Sequence, residues 1–422
     1  MNDYHRQTIH TWESVRSGRG MDWELQPTVF KYYPSEFEAV SLDACTQLRE
    51  FLHLCCGITA EKVYPGGRYF LRANPSAGAL YPCELYVQSR GEPGLVDGIY
   101  HFEPLSAKLR LLSILGPNEG VEGYFDTGCM VKGLVLLVTT LYYRSSWKYG
   151  HRAFRYCLLD SGHLLGAMEA AAYCTDRCCS LITRFDRERV QRDFGFATRE
   201  LPMAMGICGK RQPGEMHCPQ MSLDFIDGSG AFSRDLIIEQ AYARASLMST
   251  CGGDTPAGKP YSVPSQELAV IVSRRRSIRK FNCRPITRAQ YMAVHKVIEA
   301  GIAIDCDEDV RIFSIVNRVE AMEAGLYTHD RCLRKGEFAG MAGYLCLEQD
   351  LGAESGVTFF LVGDSDNYLA LMFKAGLIGQ RVYLESGLQG MGCSGIGAFY
   401  DREVVDFLET DGMILYALAI GI

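Results

Sequence analysis

Asp97-Gly-Ile-Tyr-His-Phe-Glu-Pro104 and Ala324-Gly-Leu-Tyr-Thr-His-Asp330 are two versions of one pattern, and the echo spreads outward from them. The apolar run Gly133-Leu-Val-Leu-Leu-Val138 reads as a buried strand, and so does Val357-Thr-Phe-Phe-Leu-Val362. Each is followed by a helix-patterned segment expected to open on small residues, Ser161-Gly-His-Leu-Leu-Gly166 and Ala375-Gly-Leu-Ile-Gly-Gln380. Each half then closes on a short apolar strand, Met203-Ala-Met-Gly-Ile207 and Leu415-Tyr-Ala-Leu-Ala-Ile-Gly421. All these offsets fall between 210 and 230 residues. Two copies of one α+β domain therefore account for 422 residues better than three unrelated domains of about 150 residues do.

The join between the copies is legible too. From Lys210 to Pro264 the chain loosens into Gly, Pro and Ser, with Thr250-Cys-Gly-Gly-Asp-Thr-Pro-Ala-Gly-Lys-Pro260 as plain loop chemistry. A periodic patch from Arg234 to Leu247 predicts one bridging helix. The expected organisation is a first domain over 1–209, a linker over 210–264 and a second domain over 265–422. The second domain should open with a helix capped by Ser265. A capping box at Thr287-Arg-Ala-Gln290 should start the next, with Tyr291, Val294 and Ile298 on its apolar face.

Composition narrows the function. Lys+Arg 43 against Asp+Glu 50 leaves a net charge of −7, which argues against nucleic acid because phosphate neutralisation needs a basic face. The longest apolar stretch, Gly133 to Leu141, falls short of the roughly 20 residues of a membrane span. The N-terminal residues are polar and carry no secretory core, so a soluble, cytoplasmic protein is expected. Seventeen cysteines, an odd number without zinc-ligand spacing, read as reduced, mostly buried thiols, and no metal is expected.

Three segments stand apart from scaffold. Arg72-Ala-Asn-Pro-Ser-Ala-Gly-Ala-Leu-Tyr-Pro82 combines fixed proline torsions with residues small enough for a flat ligand to approach the main chain. The bland alternative is a surface loop between a helix and the strand Glu84–Gln88. Arg274-Arg-Arg-Ser-Ile-Arg-Lys-Phe281 places five cations around Ser277, a set suited to a phosphate dianion or simply to a solvated basic face. Gly390-Met-Gly-Cys-Ser-Gly-Ile-Gly-Ala-Phe399 contains a literal G-x-G-x-x-G, but a helical pattern precedes it and too little chain follows for a βαβ unit. Its glycines instead allow the backbone to lie close to a planar ring. The first half has the Pro-Ser loop without the arginines, and the second has the arginines and glycines without the loop. One composite ligand site between the halves follows. Asp160 and His163, at the expected start of the first-half helix, read as structural.

These residues resemble the FMN-dependent nitroreductase superfamily, and within it the SagB/ThcOx-type dehydrogenases of azole-modified peptides. The resemblance rests on Tyr4-His-x-x-Thr-x-His10, Glu13-Ser-Val-Arg16, Asp22-Trp23, Gln26-Pro-x-x-Phe-Lys31, the Arg72–Pro82 segment, Gly98-Ile-Tyr100 and Trp147-Lys-Tyr-Gly-x-Arg-Ala-Phe-Arg-Tyr156. In the second half it rests on Arg275-Arg-Ser-Ile-Arg-x-Phe281 and on the glycine run. The family is similar in being dimeric, with FMN at the subunit interface. The resemblance thus implies a nitroreductase-like α+β fold duplicated in one chain, each half an antiparallel-rich sheet flanked by helices, and a pseudo-dimer with one FMN. It implies that Arg275, Ser277 and Arg279 hold the phosphate and ribityl end, with Arg276 beside them. Pro75, Ser76 and Ala77 would pack near the flavin, Asn74 would hydrogen-bond it, and Gly395, Ile396 and Gly397 would line its ring.

Lys148-Tyr149 matches a pair associated with proton removal in azoline dehydrogenases, so both are candidate catalytic residues; the alternative is a simple loop cap. A basic Lys148 at neutral pH requires burial or a nearby cation, and Arg144 and Arg152 are the candidates. The expected partner is a small-molecule or peptide substrate, and the resemblance adds other members of a peptide-modifying complex. The fold also admits an NAD(P)H-dependent nitro- or quinone reductase, and a third reading is a non-catalytic flavin- or peptide-binding scaffold.

Overall fold

The computed structural model describes residues 2–17, 20–64, 67–247 and 258–422. Strands in chain order are β1 (Ala39–Ser41), β2 (Ile58–Tyr64), β3 (Gly67–Arg72), β4 (Cys83–Arg90), β5 (Gly98–Glu103), β6 (Lys108–Ile114) and β7 (Cys129–Leu141). They continue as β8 (Ser180–Ile182), β9 (Glu200–Pro213), β10 (Val310–Val316), β11 (Gly325–Thr328), β12 (Arg331–Lys335), β13 (Val357–Gly363), β14 (Gly392–Ile396) and β15 (Met413–Gly421). Both expected apolar runs are strands, β7 and β13. Each sits at the inside of its sheet, where near-continuous Val, Leu and Phe are buried on both faces.

The first sheet runs β1-β6-β5-β4-β7-β9-β8 and the second β12-β11-β10-β13-β15-β14. Apart from the added edge strand β1, the two orders correspond strand for strand. The two echoed segments occupy the same place, β5 and β11. All ladder pairings are antiparallel, so a mixed α+β architecture of antiparallel sheets flanked by helices is what the chain adopts. The glycine run lies on the edge strand β14 and not in a βαβ turn. The β2–β3 hairpin stands apart from both sheets and leads into the Arg72–Pro82 segment, where the surface-loop alternative placed a helix.

Two long helices form the centre, Ala153–Cys174 and Tyr368–Leu388, almost wholly buried. The small residues expected to open them lie instead in their middles. The reason is steric. A Cβ on Gly162 would sit 2.4 Å from the Phe373 carbonyl oxygen, and one on Gly376 would sit 2.3 Å from that of Leu159. Only glycine lets the two backbones cross this closely, and the crossing joins the halves.

The helix Arg288–Glu299 begins with the expected reciprocal Thr287–Gln290 box and buries Tyr291, Val294 and Ile298. Ser265 does not cap its helix: Pro264 holds the cap position and Ser265 is already helical. A helix spans Leu236–Leu247, two residues shorter than the Arg234 patch, and Arg234 reaches back to Glu239 from outside it. Most of the Thr250–Pro260 loop, residues 250–257, lies outside the described residues. Among the described residues no helix is long and apolar enough to cross a membrane, and no disulfide forms between the described cysteines.

Candidate functional site

The Arg72–Pro82 segment is held under strain. Gly78 has φ 65°, and the non-glycine residues Ala79 and Tyr81 have φ 54° and 43°. At the two non-glycine positions such conformations cost on the order of 1–3 kcal/mol each and persist where the surroundings enforce them. Here the enforcement is visible. Arg72 N donates to the Tyr81 hydroxyl at 2.9 Å, and Tyr81 N donates to Ser76 Oγ at 2.9 Å. Ser76 Oγ donates to Asp160 Oδ2 at 2.6 Å, and Ala77 N donates to Asp160 Oδ1 at 3.1 Å. Asp160 projects from the first central helix, so that helix fixes the loop.

The second half brings its two segments to the same place. After the helix Ser265–Arg274 the chain turns extended, and Ile278 N donates to the Cys393 carbonyl at 3.2 Å, laying Ser277 beside β14. Tyr383, on the second central helix, ties both together. Gly395 N donates to its hydroxyl at 2.7 Å, and that hydroxyl lies 2.7 Å from Ser277 Oγ. Arg275 crosses to the first half, where its Nε donates to the Ala73 carbonyl at 2.8 Å and its Nη1 is buried without a hydrogen-bond partner.

Between these parts is a cavity of about 100 Å³. Of the residues singled out in the sequence, Pro75, Ser76, Ala77, Ser277, Arg279, Gly395 and Gly397 line it, joined by Gly78. The two glycines of β14 and its exit are pressed by tyrosines. A Cβ on Gly395 would meet the Tyr416 hydroxyl at 1.8 Å, and one on Gly397 would meet the Tyr156 ring at 2.4 Å. Asn74 is buried just behind the loop with its Oδ1 unpartnered. Arg276 turns away to Thr59, bonding its hydroxyl and carbonyl, and Ile396 packs into the core under the second sheet.

Lys148 and Tyr149 end a short helix at the cavity's rim. Tyr149 Oη would lie 2.6 Å from a Cβ on Gly78, and Lys148 Nζ 3.3 Å from it. Lys148 is exposed, and the two arginines expected to influence it are committed elsewhere. Arg144 is buried on Glu84, and Arg152 is buried on Asp401. Burial raises the Tyr149 phenol, with Tyr156 and Asp160 adding to the effect.

Asp160 and His163, read in the sequence as structural, also line the cavity. Burial pushes the Asp160 carboxyl up to about 7, against the smaller lowering influence of Ser76 and Ala77 N–H. Burial takes His163 down to about 3, and its Nε2 sits 2.9 Å from the Tyr416 hydroxyl. A signal for these residues was present. Tyr156, Asp160 and His163 fall at i, i+4 and i+7, a polar stripe on a largely apolar helix. Tyr383 and Tyr416 carried no such signal, since aromatic residues in apolar runs are ordinary core.

No family model matches the chain. A candidate nitroreductase of Methanocaldococcus jannaschii is 31% identical over 124 residues, which are 28% of this chain. The match spans 58% of that protein, little more than half its length. A crystal structure of a candidate nitroreductase from Anabaena variabilis is similar over the whole chain, with a TM-score of 0.80, 26% identity and coverage of 100% of this chain and 98% of that one. The E. coli microcin synthetase McbBCD complex superposes with a TM-score of only 0.32 at 18% identity, over 48% of this chain and 73% of that one, too distant to bear on substrate.

Proposed function

For this chain, a member of the nitroreductase superfamily, we propose an FMN-dependent oxidoreductase of the SagB/ThcOx type with one flavin between its two halves. The observation that carries the reading is the single cavity where Pro75, Ser76 and Ala77 meet Ser277, Arg279, Gly395 and Gly397.

The donor set fits an anionic, flat cofactor. Arg275 has an unpartnered buried N–H, Arg279 is a cation on the cavity wall, and the glycines leave backbone accessible to a ring. Tyr383 accepts from Gly395 N and shares a 2.7 Å hydrogen bond with Ser277 in which either hydroxyl can donate, so the serine can turn its own hydrogen to an incoming acceptor while Tyr383 donates to it. The free volume is below the ~300–1,000 Å³ usual for small-molecule sites, so the Tyr156 ring over Gly397 must give way as a ring system enters. Ser277, Arg279 and Arg275 would hold the phosphate end, and the Pro75–Ala77 backbone and Gly397 the ring. When bound, FMN supplies a two-electron acceptor for hydride at its N5.

The chain's own part is proton handling and orientation. Lys148 at the rim is the base we assign to the substrate proton, with Tyr149 beside it across Gly78; because it is exposed and neither arginine reaches it, the burial that role requires has to come from the bound substrate. General-base removal by a positioned side chain is worth about 10²–10⁴-fold. Lys148→Ala should therefore lower turnover of an azoline peptide by that factor while flavin content stays constant; unchanged turnover removes the assignment. The cofactor reading is tested by the visible spectrum and released flavin of the purified full-length chain, with one FMN per chain expected. None after reconstitution would leave a scaffold. An NAD(P)H-dependent nitro- or quinone reductase is the second reading, favoured by the names of the similar proteins. Rapid reduction of the bound flavin by NAD(P)H would select it over the dehydrogenase.

A further inference from the structure

We propose that Asp160 is a positioning residue of the flavin site, which by carrying or releasing one proton decides whether the Ser76 hydroxyl can donate into the cavity. This rests on the flavin reading above.

Ser76 Oγ has one hydrogen and two lone pairs. It accepts from Tyr81 N at 2.9 Å whatever the pH, because a backbone N–H can only donate. Its other close contact is Asp160 Oδ2 at 2.6 Å. When Asp160 is a carboxylate it can only accept, so Ser76 must spend its single hydrogen on it. When Asp160 is protonated on Oδ2, the carboxyl donates and Ser76 accepts twice. The hydroxyl hydrogen is then free, and both residues line the cavity. Ala77 N donates to Oδ1 in either state, which directs the proton to the oxygen facing Ser76. The loop keeps its geometry throughout; only the direction of one hydrogen bond reverses.

The surroundings make this titration single and neutral-centred. Asp160 is 4% exposed and takes part in no ion pair among the described residues; the cations Arg279, which lines the same cavity, and Arg72, behind the loop, make no hydrogen bond to it. Its proton is held up to about pH 7. The groups facing it do not titrate in that range. Tyr81 and Cys83 from the first half, Cys157 on its own helix, Tyr149 at the rim and Tyr416 from β15 are all raised by burial, and His163 stays neutral down to about pH 3. Two effects then act in one direction as pH rises through 7. The cavity loses a donor, and it gains a negative charge facing an anionic ligand.

The test is equilibrium binding of FMN, followed by flavin fluorescence, to the full-length chain and to Asp160→Asn at pH 6 and pH 8. Asparagine mimics the protonated carboxyl, with its oxygen accepting from Ala77 N and its amide donating to Ser76. The ratio of wild-type to variant Kd cancels the titration of the cofactor's own phosphate. We expect a ratio near one at pH 6 and about ten at pH 8, the worth of one hydrogen bond to a partly charged ligand. Ser76→Ala gives the independent arm: its Kd should exceed wild type about tenfold at pH 6 and approach it at pH 8. Ratios that do not change with pH overturn the proposal and leave the flavin site standing. A wild type that binds no FMN at either pH overturns the flavin reading, and this inference with it.

Discussion

Two aspartates are buried to nearly the same degree, Asp160 in the cavity and Asp401 against the first turn of the first central helix, and their carboxyls are shifted in opposite directions. Asp160 has two neutral donors and no cation bonded to it, Arg279 lying elsewhere on the cavity wall. Asp401 receives Arg152 at 2.8 Å, Arg155 at 2.6 Å and the His10 amide at 2.9 Å. Burial raises both carboxyls, but beside Asp401 the two guanidinium charges outweigh it and hold the group at about 2. The difference teaches that burial alone sets no charge state; the company does. It also separates two jobs. Asp401 clamps the second half to the first half's helix, whereas Asp160 leaves an unbalanced group where a ligand can sense it.

The comparison breaks most visibly at Asp401. Asp401→Ala strands two buried arginines and should cost about 3–5 kcal/mol, read as the fall in unfolding free energy in a denaturant titration. If the loss is under about 1 kcal/mol, the clamp is not the fastener described. The pH dependence sharpens the contrast. The folded Asp401 lies below its ordinary 3.8, so its stabilisation is complete above about pH 4 and is lost as pH falls through 2. The folded Asp160 lies above 3.8, so between about pH 4 and 7 the native state keeps a proton that the unfolded chain has shed. Stability should therefore decline as pH rises across that window, by roughly 4 kcal/mol in all, and Asp160→Asn should flatten the profile. Gly162→Ala at the helix crossing should cost about 1–3 kcal/mol through overpacking, measurable as a lower Tm. The smallest effect belongs to the half-exposed Arg16–Glu348 pair: Glu348→Gln should change stability by less than about 1 kcal/mol.

Much of the fold could be read from residues that act locally. β7 and β13 announce themselves because a strand buried on both faces must be apolar throughout, and the Thr287 box because a cap is spelled within four residues. The glycines of the central helices misled because small residues before a helical pattern look like a boundary; their reason is the backbone of the other central helix, 214 positions away in sequence. The candidate site divides the same way. Its Pro-Ser loop and glycine run are contiguous and were legible as motifs. Arg276 sat in the motif yet turned to Thr59, because which way each arginine of a run points depends on the fold. Asp160 was passed over because a carboxylate on a helix is usually solvated, and only tertiary packing removes its water.

The helix crossing has one more consequence. A symmetric pair of chains would have to place identical side chains on both sides of its axis, so a change useful at one site would be imposed on the other. Here the crossing is between different sequences: His163 lies against Gly379, while Gln380 lies against Gly166. Each side of the axis can therefore drift separately, and a residue such as Asp160 can be fitted to one site without a copy appearing opposite. Joining the two halves in one chain relieves the molecule of its own symmetry.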